Sequence, residues 1–330
     1  MTVSYSQRGP MQPLAQRIRA YFAPVDRNSS APSIFDAAKN GQFALDSPPA
    51  PWLDAGWISG FKRTSATKVQ PLRSGAKDAA QSQCRTNLDA GLEFEMHEWG
   101  KLQLAISSGS QHINLLAEDP SASPVASGGV PALPIATLPG STAQEIVIGA
   151  GAVSGFAVGD LIAVDLDYAG ATGYVGSGVP GAFIKDPADV SSDPNYLRRI
   201  TFNVGRVSGK TTSTLLLAQP LIGSTPGGAP PAGAQIQKVV GFVDREGGSF
   251  FQEWSALFVC ESETGARAFY YYPRVQPASS AQESSAVIGG AFDGWSLHAK
   301  LIALPTTDPL DHEQVVCYRS FIPATNAALY

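Results

Sequence analysis

Charge is what this chain has least of. Of 330 residues only 15% are Asp, Glu, Lys or Arg, against about 25% in an ordinary soluble domain. Such a shortfall fits a surface covered by neighbouring subunits, and equally a loop-rich β protein with a Ser/Thr surface. The net charge of −5 argues against a nucleic-acid grip, which needs clustered Lys and Arg, but not against a surface that nucleic acid slides past. No stretch approaches the roughly 20 apolar residues of a membrane span. Met1–Ala20 carries Arg8, Arg17 and Arg19 without the continuous apolar run of a secretory signal. Cys84, Cys260 and Cys317 are odd in number and widely spaced. They read as buried or free thiols in a reducing compartment, not as a disulfide frame or a zinc site.

Motifs of chemistry are also scarce. Glu145-Ile-Val-Ile-Gly-Ala-Gly-Ala-Val-Ser-Gly155, with Asp165 downstream, imitates a dinucleotide fingerprint. Its third glycine falls one position late, and only Phe156–Asp160 separates it from the next apolar run, too little for the helix that would hold a pyrophosphate. A β-turn-β is expected there. Gly205-Arg-Val-Ser-Gly-Lys-Thr-Thr212 imitates a phosphate-binding loop with three residues between its glycines where four are needed. Ser208-Gly209-Lys210 reads better as a hairpin turn between Ile200–Val207 and Thr212–Ala218. His97, His112, His298 and His312 stand in no metal spacing, and Glu93 with Glu95 simply share one face of a strand. The expectation is a chain that is not an enzyme, with no catalytic, cofactor or metal residues.

What the sequence has is β texture. Gly (33) and Pro (25) are abundant, so turns should be many and helices few. Residues 1–50 read as an N-terminal arm, with a short helix over Gln12–Phe22 from the spacing of Leu14, Ile18 and Phe22. Residues 51–118 read as the first part of a framework domain. Trp57, Ser59 and Phe61 share one strand face, and Pro71–Asn87 is a long polar loop. Gly91–Glu98 alternates strictly, with Leu92, Phe94 and Met96 as core and Glu93 and Glu95 opposite. Trp99, Leu102 and Ile106 then fall at helical spacing, predicting a short helix over Gly100–Ser107 and placing Trp99 and Leu102 in the core. Residues 119–237 read as an inserted small all-β domain between Pro/Gly-rich linkers. Residues 238–330 complete the framework with strand-like runs at Phe250–Cys260, Arg267–Val275, Trp295–Leu304 and Gln314–Phe321, and Trp295 and Leu297 join the predicted core.

These patterns resemble a family. Pro51-Trp-Leu-Asp-Ala-Gly-Trp-Ile-Ser-Gly-Phe61 resembles the opening strand of phage tail tube proteins, and the polar 64–87 stretch resembles their long hairpin loop. Leu92–Met96 followed by Trp99–Ala105 resembles their strand-then-helix step. Tyr272–Val275, Trp295–Pro305 and Val315–Pro323 resemble their closing strands. The resemblance covers about half the chain, in two blocks around the insert. It implies a tail-tube-like β-sandwich or barrel framework with one short helix. It also implies a virion protein forming stacked, hexameric rings through which DNA passes without specific binding. Its partners would be other copies of itself and further tail proteins such as the tape measure and tail terminator, and it would be assembled in the bacterial host cytoplasm. Glu93 and Glu95 would face the lumen. The loop Thr64–Asn87 and the arm would join ring to ring, both disordered in a monomer.

Two other readings use the insert. Phe156, Tyr168, Tyr174, Phe183 and Tyr196 could stack sugars on a carbohydrate- or surface-binding β module. Asp160, Asp165 and Asp167 could approach a cation, although a strand presents too few of these oxygens to one side for calcium.

Overall fold

The computed structural model describes residues 17–25, 31–66, 68–74, 78–117, 135–166, 204–221, 229–230, 232–246, 253–263, 265–278, 282–288 and 292–323. Among the described residues the chain is mainly β. In order come β1 (Arg17–Pro24), α1 (Ala37–Asn40), β2 (Leu53–Ser65), β3 (Lys68–Ser74), β4 (Ala79–Asn87), β5 (Ala90–Met96), α2 (Lys101–Ser108), β6 (Gln111–Leu116) and β7 (Ile135–Ala136). There follow β8 (Glu145–Val147), α3 (Ala150–Val153), β9 (Leu161–Leu166), β10 (Val204–Lys210), β11 (Thr214–Leu217) and β12 (Ala234–Arg245). The last are β13 (Trp254–Glu261), β14 (Arg267–Pro277), β15 (Gln282–Ile288), β16 (Phe292–Leu304), β17 (Thr306–Thr307), β18 (Gln314–Val315) and β19 (Tyr318–Ile322).

Two compact units divide the chain. One holds Met1–Val25, Pro32–Trp99 and Glu253–Tyr330, the other Asp26–Ala31 and Gly100–Gln252. Sequence texture placed the insert's limits at 119 and 237. The division by contact takes in more on both sides because β6 pairs with β12 from Gln111↔Arg245 to Leu116↔Val239. Low-complexity composition marks where the chain is loop-like. Strand pairing decides where contacts stop.

The first unit is a closed six-stranded antiparallel barrel. Its strands run β16-β5-β2-β1-β13-β14, and β14 returns to β16 over Arg274↔Leu304 to Pro277↔Leu301. β15 adds to β16, and β19 adds to β14. Phe258 is the hub of the interior. Its ring lies 4.7 Å from Phe61, 5.3 Å from Phe94, 6.0 Å from Phe22 and 6.1 Å from Tyr272, centroid to centroid. Leu92, Met96, Trp254, Leu297 and Leu301 are buried with it. The Arg63 guanidinium lies over the Tyr270 and Tyr272 rings, and its Nε donates to the Tyr272 hydroxyl. Among these aromatics a cation–π contact offsets part of the cost of desolvating the charge.

Bulges shape this barrel. Between Ser59 and Lys62 the β2–β5 register slips at Gly60, which takes φ of +63°, a conformation costly for any residue with a Cβ. The extra residue shifts parity. Ile58 faces inward opposite Met96, and beyond the slip Arg63 comes opposite Leu92. Trp57, Ser59 and Phe61 therefore do not share a face, as strict alternation predicted. Phe61 turns in toward Phe258, while Trp57 lies outside, 5.2 Å and 5.1 Å from the Arg17 and Arg19 guanidinium carbons.

The arm is the largest correction to the sequence reading. Residues 17–24 form no helix. They are a central strand paired on both edges, with β13 and β2. Ala20, Tyr21, Phe22 and Ala23 are all fully buried. A strand covered on both faces loses its period-two signature, and its apolar residues then match a helical template as well. The outer face of β1, β13 and β14 is covered by residues 32–52, which bring Phe35, Phe43, Leu45 and Trp52 against Tyr21, Leu257, Val259, Phe269 and Tyr271. This layer is tied down by hydrogen bonds. Tyr21 donates to the Leu45 carbonyl (2.7 Å), Tyr271 to the Ser33 carbonyl (2.9 Å) and Arg267 to the Phe43 carbonyl (2.6 Å). The expected disorder does not hold for this segment, and residues 1–16 and 26–30 lie outside the described residues.

The second unit is a seven-stranded sheet in which β6-β12-β9-β10-β11-β8 run in order and β7 pairs with β12. The Leu138 amide donates to the Val147 carbonyl (2.7 Å), so the chain leaving β7 reaches across to β8. Inside this curl Ile146, Phe156, Ile162, Val164, Val207, Leu215, Leu217 and Ile236 form a core of their own. α2 matches the predicted short helix within a residue and ends at Gly109 in the left-handed region (φ +66°).

Replacing Phe258 with Ala should cost about 3–5 kcal/mol by cavity formation in a ring cluster that cannot collapse. Urea unfolding of the full chain measures it, and a loss under about 1 kcal/mol would show that Phe258 is not the hub.

Candidate assembly surface

The predicted core and lumen residues lie on β5 and its neighbours. Leu92, Phe94, Met96 and Leu297 are at most 1% exposed and Leu102 is buried. Two tryptophans differ. Trp295 is 55% exposed although its parity matches the inward residues Leu297, Ala299 and Leu301. Pairing of β16 with β5 ends at Leu297↔Met96, so the strand carries Trp295 past the barrel's end. Trp99 is 56% exposed. α2 begins after its N-cap at Gly100, so helical spacing does not extend back to residue 99.

Glu93 and Glu95 stand on the outer face of the barrel sheet. Each is flanked on both sides. Glu93 lies in register with Lys62 on β2 and Lys300 on β16, and Glu95 with Ser59 and His298. His298 Nε2 is 3.0 Å from a Glu93 oxygen, and His97 Nε2 is 2.9 Å from the Ser59 hydroxyl. The two carboxylates thus sit in a mixed field, with Lys62 and Lys300 exposed beside them. This face is polar and close to charge-balanced, which gives it little long-range attraction or repulsion for a polyanion.

The polar stretch after β2 is a hairpin, not a loop. β3 and β4 pair from Lys68↔Asn87 to Ser74↔Ala79. Their described side chains are mostly exposed, Val69 at 49% and Leu72 at 55%. Alternation was hidden in the sequence because neither face is buried, so no apolar stripe marks the strands. Lys68, Arg73 and Arg85 give the hairpin a positive excess over Asp78.

A second projection follows β16. β17 and β18 pair at Thr306↔Val315 and Thr307↔Gln314, and the turn between them is held by its own side chains. Asp308 accepts from the Leu310 amide (2.8 Å) and from the Tyr318 hydroxyl (2.6 Å), and Asp311 accepts from the Glu313 amide (3.0 Å). His312 takes φ of +63°, and its amide meets the Asp308 carbonyl at 2.9 Å. The Tyr318 hydroxyl and the Leu310 amide hold the Asp308 carboxyl below its usual range. At the tip Leu310 is 92% exposed. Sequence periodicity does not reveal this knob, because a single Leu between Pro309 and Asp311 carries no periodic signal.

The motifs set aside in sequence fold as follows. Between β8 and β9 the chain makes a one-turn helix, α3, where a plain turn was expected. Residues 204–210 are all strand, and the hairpin turn comes three residues later than expected, where the Thr211 hydroxyl accepts from the Ser213 and Thr214 amides (3.3 and 3.0 Å). Phe156, the one described residue of the proposed sugar platform, is buried in the second unit's core. Tyr168, Tyr174, Phe183 and Tyr196 lie outside the described residues, as does Asp167. Asp160 meets Lys238 Nζ at 2.7 Å and accepts from the Ala157 amide at 2.8 Å. Among the described residues no three His, Cys, Asp or Glu stand together as a metal site, and no helix is long and apolar enough to cross a membrane. Cys84, Cys260 and Cys317 are free thiols.

The geometry defines a β-barrel protein with a second β unit and two outward projections. No protein-family model matches the chain, and no curated protein matches its sequence.

Burial works against ionisation of Asp160, but the Lys238 hydrogen bond, the Ala157 amide and the charges of Lys238 and Lys210 outweigh it and hold the carboxyl below its ordinary 3.8. A depressed folded-state value stabilises the fold above the unfolded value and stops doing so as pH falls through the folded one. Asp160→Asn should therefore destabilise the chain by about 1 kcal/mol or less at pH 7. The difference should vanish in melts taken well below pH 3.8, and a difference independent of pH would refute this account.

Proposed function

We propose that this chain is a structural assembly protein of the tail-tube type. Copies join into rings, hexameric by the family's pattern, and rings stack into a hollow tube that DNA crosses without specific binding. On this reading it is not an enzyme. Its partners are other copies of itself and further tail proteins such as the tape measure and tail terminator, in a virion tail assembled in the bacterial cytoplasm.

The observation that carries the reading is a barrel already closed and filled, yet carrying surplus sheet and exposed apolar projections. Among the described residues β15 and β19 are each paired along one edge only. Open edges of this kind are a hazard in a monomer and a means of joining in an assembly. Trp99, Trp295, Val69, Leu72 and Leu310 are all near half exposed or more in a chain poor in solvating charge. The Glu93/Glu95 face, balanced by Lys62 and Lys300, suits a lumen that neither holds nor strongly repels phosphate.

Electron microscopy of the purified full chain should show rings or tubes, with sedimentation shifting to larger species as concentration rises. A single monomeric species across the micromolar to millimolar range would overturn the proposal.

A further inference from the structure

We propose that neighbouring copies join through the Leu310 loop of one copy seated on the β3–β4 hairpin of the next. This rests on the assembly reading and names the surfaces that carry it. Three observations support it. First, Leu310 is 92% exposed on a turn made rigid by Asp308, Asp311 and Tyr318, so little ordering entropy remains to be lost when it docks. Second, one face of the hairpin offers a matching surface. Along β3, alternation places Val69, Pro71 and Arg73 on one side, and Arg85 lies opposite Val69 in register. All four are exposed, giving an apolar centre with a guanidinium at either end. Third, the charges are opposite. The loop carries Asp308, Asp311 and Glu313 around its leucine. Asp308 is occupied within the turn and Arg73 already donates to the Asp78 carbonyl (3.0 Å), so Glu313 and one Asp311 oxygen can reach outward to Arg85 and to the remaining donors of Arg73.

Topology gives the contact a direction. β2 and β16 both pair antiparallel with β5, so they run the same way, ending at Ser65 and Leu304 where Ala90 begins β5. The hairpin continues from β2 and the loop from β16, so both leave the same end of the barrel. A loop-to-hairpin contact made once per pair is heterologous, and between copies standing side by side it closes into a ring when the rotation fits. This assigns the hairpin to contacts within a ring, not between rings.

The test uses two full-length variants, Leu310→Asp and Val69→Asp, both at exposed positions, with thermal melts confirming that each remains folded. Each alone should weaken self-association by roughly tenfold or more in sedimentation. Mixed in equal amounts they should form a discrete heterodimer, because one copy retains its loop and the other its hairpin. Wild-type rings with both variants assembling as wild type, or variants that fail singly but stay monomeric when mixed, would overturn the inference and leave the assembly reading standing. A wild type that never associates would overturn both.

Discussion

Closure of the sheet between β14 and β16 is the constraint on which the first unit depends. Four residue pairs, Arg274↔Leu304 to Pro277↔Leu301, turn an open sheet into a barrel and so fix which side chains share an interior. Phe258 can gather Phe22, Phe61, Phe94 and Tyr272 only because strands from both ends of the chain curve round to meet it. The bulge at Gly60 serves the same closure. It bends β2 and turns Phe61 and Arg63 toward the aromatic rings, where a regular strand continuing from Ile58 would have put Gly60 and Lys62.

Closure also explains where function has room to lie. A barrel of six strands filled with aromatic rings leaves its interior to packing. What remains for interaction is the outer face, the projections and the two strands that hang from the barrel, β15 and β19. The outer face of β2, β5 and β16 is polar and balanced in charge, while the hairpin and the Leu310 loop concentrate opposite charges around exposed apolar residues. That separation is what a chain so poor in charge needs if it is to join its own copies in one geometry and not aggregate at random.

Much of this was legible in the residues. β5 is half-buried in a regular way, so its alternation named Leu92, Phe94 and Met96 correctly and put Glu93 and Glu95 opposite. The strand texture of 250–322 was visible in its aromatic and β-branched residues, and the hairpin after residue 200 in its turn chemistry. β1 was not, because both its faces are covered and its apolar run fits either period. β3 and β4 were not, because neither face is covered and no apolar stripe exists. Trp295 had the right parity and the wrong surroundings, since parity gives a side but not whether anything lies across from it.

The sequence alone therefore determined the β class, the side on which most strand residues fall, and the absence of familiar catalytic spacing, since these follow from periodicity and local turn chemistry. Only the tertiary structure decided that residues 17–24 are a barrel strand, that the bulge reverses parity along β2, and that the hairpin and the Leu310 loop leave the same end. These depend on which distant strands become neighbours, and that is set by burial and closure summed over the whole sheet.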